Sequence, residues 1–478
     1  MMKTMKFLSM AALVLVGAIT TGCTNEDENM SQSMPEPQLV TLTTTVSMGG
    51  GGETRALTEE GVKTFAEGEQ IAVVYTNTSS ERVKALSNAL VAGDITNEGK
   101  TARITVTLTD PVAGSVDYIY PAAMANEDGT PNLSALCMQD GTQPTLAAKL
   151  DYAKGSGTMT VSGSEYTLPA IALKNQLTIC KFKVKNSGGR EITGNITGLT
   201  VSDGTNTYTV SRAATAGPIY VAMLPVSSDK TLSFVANDAS NSYYKSVTGK
   251  ALDVNNQYTI NVTMEQGQTT NLSTLSADYV AQNGDMLTGK LLVSHKISIA
   301  KGATVILKNV SINYDIYPAL SGSFAGINCS GNATLIITGT NYVKGFSSGH
   351  PGIFVPSPST LTITGNGTLY ALGHEYGAGI GSGRYNITDY KACGNIVIQG
   401  GTVWATGGSS AAAIGSGASI IFTQYDPGTP SSCGDITVRN SVTHIYATKG
   451  SGAESIGKGQ YSNCGTVTIE DPGKVTEH

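Results

Sequence analysis

Hydrophobic and polar positions alternate with a period of two over most of the stretch from Gln38 to Met264. Ile104, Val106 and Leu108 alternate with Thr105 and Thr107, and Tyr258, Ile260, Val262 and Met264 alternate with Thr259, Asn261 and Thr263. That period belongs to strands with one buried face. With the Gly, Asn and Asp clusters between the runs read as turns, it predicts antiparallel β-sandwiches. Between Leu177 and Val184 the phase moves from Leu177 and Ile179 to Phe182 and Val184, which predicts a β-bulge. Only Ser80 to Leu90 reads as a short helix.

Beyond residue 276 the pattern changes to a repeat. Small residues followed by Ile recur at Ile327, Ile353, Ile380, Ile414 and Ile456, and a second strand is centred on Ile337, Ile363, Ile398, Val438 and Ile469. From second strand to next anchor the distances are 16, 17, 16 and 18; from anchor to second strand they are 10, 10, 18, 24 and 13. Constant girth on one side, with all insertions at one corner, is what stacked coils require. The pattern therefore predicts a parallel β-helix over 276–478, right-handed as parallel crossovers are. Leu291 to Val293, Ile297 to Ile299 and Val305 to Leu307 read as its lead-in coils. The glycines of Gly379-Ile380-Gly381-Ser382-Gly383 and Ala413-Ile414-Gly415-Ser416-Gly417 are read as corners, since a phosphate-cradling loop would need a helix after it and strands follow.

The amino terminus carries an address. Lys3 and Lys6 precede an apolar run from Phe7 to Ile19, too short for a permanent span, so residues 1–22 read as a signal peptide. The run ends at Thr20-Thr21-Gly22-Cys23, which resembles a bacterial lipobox with Cys23 as the lipidated residue, although Thr20 stands where Leu is usual. Glu26, Asp27 and Glu28 resemble a Bacteroidetes surface-export signal. Residues 23–37 then form a lipidated linker, and the expected location is the outer membrane, held by acyl chains.

Composition sharpens this picture. Of 478 residues 56 are Gly and only 14% are charged, which suits tight corners and stacked strands with few exposed faces. A net charge of −6 with 30 Lys plus Arg argues against a nucleic-acid partner. The aromatic residues are 21 Tyr, 8 Phe and 1 Trp, a bias toward amphipathic contact surface. Cys393, Cys433 and Cys464 each stand five residues before a second-strand centre and should stack in a ladder, either as buried thiols or with a disulfide between adjacent coils. No His shares the repeat, so no metal site is expected, and no cofactor motif is present.

The first half resembles the fimbrillin family of Bacteroides surface proteins. The resemblance rests on Glu53-Thr54-Arg55-Ala56-Leu57, on Phe65 to Val73, on Asp117 to Ala122 and on Pro218 to Met223, and it covers roughly residues 38–265. It implies two transthyretin-like β-sandwiches, 38–175 and 176–265, and a non-enzymatic adhesive role, sometimes within a pilus. The expected fold class is therefore all-β: two such sandwiches followed by the right-handed parallel β-helix. In polymerising members a protease cuts after an Arg near the amino terminus, and Arg55 occupies a comparable place. Where those members end in a donor strand, this chain continues for about 200 residues.

The inserted corner of the β-helix carries the candidate binding residues. Tyr385, Asp389 and Tyr390 lie in one coil, Tyr425 and Asp426 in the next, and Tyr461 in the third. Stacked insertions would make a ridge where ring faces meet sugars and carboxylates or amides bond hydroxyls. This half also resembles carbohydrate-binding β-helix domains of bacterial surface proteins. The expected function is adhesion to glycan or protein through the β-helix. Alternatives are an accessory fimbrial subunit, anchor or tip, with other subunits as partners, and a β-helix polysaccharide lyase or hydrolase. The last would need clustered acids with a basic partner, and His374-Glu375 is the nearest constellation.

Overall fold

The computed structural model describes residues 37–49, 64–150, 152–315, 320–384, 386–419 and 430–478. The chain is all-β. Its first sheet runs, in spatial order, through 82–86, 72–76, 114–120, 153–162, 171–175, 39–48, 101–109 and 95–96. The two ends of this order meet, because Ser87 bridges Val106 and the Asn88 amide donates to Thr105 O at 2.8 Å. One sheet thus curls around a core of Val46, Ile104, Leu108, Tyr118 and Tyr120. The alternation at 104–108 is the inward row of this sheet, as expected.

The second domain is a two-sheet sandwich. Strands 219–223, 178–185 and 257–263 face strands 265–266, 242–248, 231–237, 198–202, 207–211 and 138–139. Phe182 and Phe234 meet edge-to-face across it at 5.7 Å. Strand 138–139 and the short helix Gln143–Lys149 come from the first-domain stretch of sequence, and Leu136, Leu146 and Tyr152 pack in the second core. The boundary near residue 175 therefore separates neither the sheets nor the cores completely.

Two local expectations are corrected. Residues 80–90 form strand Arg82–Leu86 rather than a helix, because the segment pairs antiparallel with Ala72–Thr76 along five residues. No bulge occurs at 177–184: Thr178–Lys185 pairs without a register shift on both sides. Cys180, Phe182 and Val184 form one inward row, and Ile179 is buried on the opposite face. A strand buried on both faces for three residues looks, in sequence, like a change of phase.

The β-helix has three columns of parallel strands. The anchor column contains 279–281, 297–299, 327–329, 353–354, 380–381, 414–415 and 456–457. Its register joins Ile327 to Ile353, Ile380, Ile414 and Ile456, as the repeat predicts. The second column contains 333–338, 360–365, 395–398, 436–438 and 467–469, and the third 340–344, 368–372, 402–406, 444–448 and 475–477. The long strand Thr304–Ile312 feeds both. Within the second column Leu335, not Ile337, stands opposite Ile363. Both residues are fully buried, and a period of two cannot choose between them. In the lead-in, the strand is Met286–Lys290, whereas Leu292 and Val293 are exposed.

Corners are closed by side-chain ladders. Asn309, Asn332, Asn395 and Asp435 each accept a backbone N–H of the next coil at 2.8–2.9 Å, from Thr340, Thr360, Asp435 and Thr466. After the anchor Ile, Gly381 and Gly415 adopt φ of +142° and +138°. A Cβ on either would stand 1.8 Å from the carbonyl oxygen of the equivalent Gly one coil away. Ser382 and Ser416 then accept from Gly417 N and Gly459 N at 3.0 and 2.9 Å. This explains the recurring Ile-Gly-Ser-Gly as a corner device.

The sandwich and the β-helix are packed face to face. Val235 buries itself against Met286, Ile306 and Ile336, the outward residues of the second column, with Tyr244 beside them. Polar pairs extend this contact: Thr364 Oγ1 donates to Thr209 Oγ1 at 2.9 Å, and Gln399 Nε2 donates to Thr207 O at 2.9 Å. Glu470 of the last coil accepts from Arg439 at 2.6 Å, from Asn440 N at 2.9 Å and from Ser134 Oγ on the sandwich side. The connection is tight, since a Cβ at Gly267 would lie 2.1 Å from Gly284 O.

Candidate binding surface

The third column faces away from this contact and carries one outward residue type that the others lack. Tyr342, Tyr370, Trp404 and Tyr446 stand in register on consecutive coils. Their inward neighbours are Val343, Ala371, Ala405 and Ala447, buried and mostly small, so each strand points its bulk to solvent. With Tyr314 below, the rings stack at centroid distances of 4.5, 4.7, 5.9 and 3.7 Å and interplanar angles of 12–15°. Each pair contributes about 0.5–1.5 kcal/mol beyond burial. Stacking leaves Tyr342, Tyr370 and Tyr446 half-buried, and Trp404, the single Trp, is 37% exposed. Threonines flank it at 340, 368, 402, 406 and 448, and His444 closes one end with Nε2 2.8 Å from Thr476 Oγ1. The outward residues of these four strands include one ammonium, Lys344, and no carboxylate. The surface is therefore weakly polar, rigid and suited to contact.

Sequence spacing could have found this ladder. An aromatic residue follows each second-column position (Leu335, Ile363, Ile398, Val438) by six to eight residues.

The sequence-derived ridge fares differently from residue to residue. Cys23, Arg55, Tyr385, Tyr425 and Asp426 lie outside the described residues. Asp389 and Tyr461 are exposed on the inserted corner, Tyr461 at 65%. Ser419 of the intervening coil and Ser462 beside Tyr461 have their hydroxyls 2.9 Å apart. Tyr390 is a correction: it is 6% exposed and belongs to the core. Its hydroxyl donates to the buried Asn328 Oδ1 at 2.7 Å, and its ring meets Phe354 and His350 edge-on at 4.9 and 5.0 Å. Burial pushes its phenol pKa up. The ring pins the insertion to the coil instead of facing solvent.

His374-Glu375 is likewise a corner. Glu375 takes φ of +44° and accepts from Ser348 Oγ. The His374 Nδ1 is buried without a partner, and burial holds the imidazoles of His374 and His350 below their ordinary pKa. The cysteine ladder forms as spacing predicts. Cys433 pairs in register with Cys464, and Ala392 bridges Ser432 beside Cys393. All three are free thiols. Hydrogen bonds between neighbouring thiols, then burial, raise the pKa of Cys433 and Cys464. Among the described residues no group of three or more His, Cys, Asp or Glu is placed to hold a metal ion, and no helix is long and apolar enough to cross a membrane.

No family model matches the chain, and no curated protein matches it. Solved structures similar to it include a candidate cell adhesion protein from Bacteroides fragilis, at 13% identity and a TM-score of 0.29, covering 46% of this chain and 92% of that one. A candidate cell adhesion protein from Bacteroides ovatus is similar at 12% identity and a TM-score of 0.28, over 48% and 95%. A fimbrilin from Porphyromonas gingivalis is similar at 11% identity and a TM-score of 0.24, over 47% and 96%.

Proposed function

We propose that this protein is a cell-surface adhesin, anchored in the outer membrane through a lipid on Cys23, that presents the third column of its β-helix as the contact face. The observation that carries this reading is the solvent-facing Tyr-Tyr-Trp-Tyr ladder on the side the sandwich leaves open. Tyr and Trp give large contact area at low entropic cost, and they dominate the energetics of recognition surfaces. Asp389 and Tyr461, with Tyr385, Tyr425 and Asp426, supply a second contact at the inserted corner for glycan hydroxyls. The reading is a binding one: Glu375 of the nearest catalytic pair is held at the corner by Ser348 Oγ.

A glycan array probed with the purified chain tests this. Trp404→Ala should weaken the retained signals about tenfold or more, and Asp389→Ala with Tyr461→Ala should remove those that depend on the corner. Unchanged signals in both variants would sink the reading. An accessory fimbrial role is separable by mass spectrometry of the mature protein from membranes: a start at Cys23 supports a lipidated anchor, and a start after Arg55 supports processing for assembly.

A further inference from the structure

Between the second sandwich and the β-helix lies a cleft of about 620 Å³, within the range of about 300–1,000 Å³ typical of small-molecule sites. Its walls are two facing rows of hydroxyls. On the sandwich, Ser202, Ser233 and Ser246 stand opposite one another across three neighbouring strands. On the β-helix, Thr304, Thr334 and Thr362 stand in register on three consecutive coils. Both rows have rungs about 4.8 Å apart. Two residues along the same strands, Val235, Ile306 and Ile336 close the apolar contact, so the walls are fixed at one edge of the cleft.

Ala300, Ala303 and Ala333 lie between these rows, and the other side chains are polar. Asn283 Oδ1 and Asn332 Oδ1 are spent on Thr304 N and Thr360 N at 3.0 and 2.9 Å, which leaves both NH₂ groups as donors. Gln282 Nε2 donates to Val280 O at 3.0 Å, leaving its carbonyl to accept. Lys301 is the one charged residue in the lining; it forms no ion pair among the described residues, and the lining holds neither a carboxylate nor an aromatic ring. A nucleotide would need several cations and a surface for its base, and an apolar ligand would need an apolar wall. The Ser202 hydroxyl is spent on Asn206 O, Gly204 N and Thr207 Oγ1. The other hydroxyls of the rows, which can both donate and accept, match with the amide donors a chain of sugar hydroxyls, and a lone ammonium matches one carboxylate by a charge-assisted hydrogen bond.

We infer that this interdomain cleft binds an acidic oligosaccharide, its sugar hydroxyls held between Ser233 and Ser246 on one wall and the Thr304–Thr334–Thr362 row on the other, and its carboxylate paired with Lys301. The inference does not rest on the aromatic face, which lies on another side of the β-helix. Sialyllactose and trigalacturonate provide two sources of the same carboxylate chemistry, and lactose is the neutral comparator.

Titration calorimetry of the full chain with these three sugars tests it. At least one acidic sugar should bind at least tenfold more tightly than lactose. Lys301→Ala should reduce that binding tenfold or more, and Lys301→Arg should keep it within about threefold. The pair Ser233→Val with Thr334→Val should weaken it tenfold or more at an unchanged circular dichroism spectrum. Equal or absent binding of all three sugars overturns the inference. So does wild-type affinity in the Lys301→Ala and hydroxyl-row variants.

Discussion

The second and third columns of the β-helix are built from one repeat, yet they meet different surroundings. The outward residues of the second column are Ile306 and Ile336, then Thr364 and Gln399, and the sandwich covers them. The corresponding residues of the third column are Tyr342, Tyr370, Trp404 and Tyr446, and they face solvent. Inward, both columns carry mostly small or aliphatic side chains with almost no exposure, Asn341 being a hydrogen-bonded exception. A stacked repeat therefore divides its duties by register: inward positions make the coil, and outward positions decide what each face meets. Fixing one face against the sandwich holds the other in a constant orientation.

The contrast can be broken most severely at the covered face. Ile306→Ala opens a cavity where the two domains meet and should cost about 2–5 kcal/mol, seen as a lower denaturant midpoint. Gly415→Ala acts on the coil common to both faces. Its Cβ would press on Gly457 O at a φ that disfavours side chains, so a loss of about 2–3 kcal/mol is expected in the same measurement. At the open face Trp404→Ala removes two ring contacts and should cost only about 1–2 kcal/mol of stability while removing most ligand contact. The smallest effect concerns pH. His350 and His374 are held below the ordinary imidazole value by burial, so they stay neutral when folded and charge more readily when unfolded. Their contribution is complete above about pH 6.5 and declines as pH falls below it, toward the lowered folded value. The melting midpoint should drop on acidification from pH 7 to 5, and His350→Asn should flatten that slope. A slope unchanged in the variant would contradict this assignment.

Much of this architecture was legible in the sequence, for physical reasons. An anchor Ile must recur wherever a coil closes, so Ile327, Ile353, Ile380, Ile414 and Ile456 could be aligned by eye, and the register follows them. The stacked cysteines followed from the same spacing. What escaped was whatever depends on a neighbouring surface. Tyr390 looked like a surface ring because it lies in a polar insertion, yet a buried Asn328 two coils away satisfies its hydroxyl. Ile306 and Ile336 gave no sign that they face outward, because a covered outward row is as apolar as a core row. The aromatic ladder is readable in the sequence, since Tyr342, Tyr370, Trp404 and Tyr446 follow the second-column positions by six to eight residues.

The central claim is that the open aromatic column is the adhesive surface. Beads coated with the purified chain, natural or with Tyr370, Trp404 and Tyr446 all replaced by Ala, can be compared for retention on glycan-coated surfaces under flow. Coating density and circular dichroism must match between the two. The account predicts at least a tenfold loss of retention for the triple variant; equal retention would contradict it.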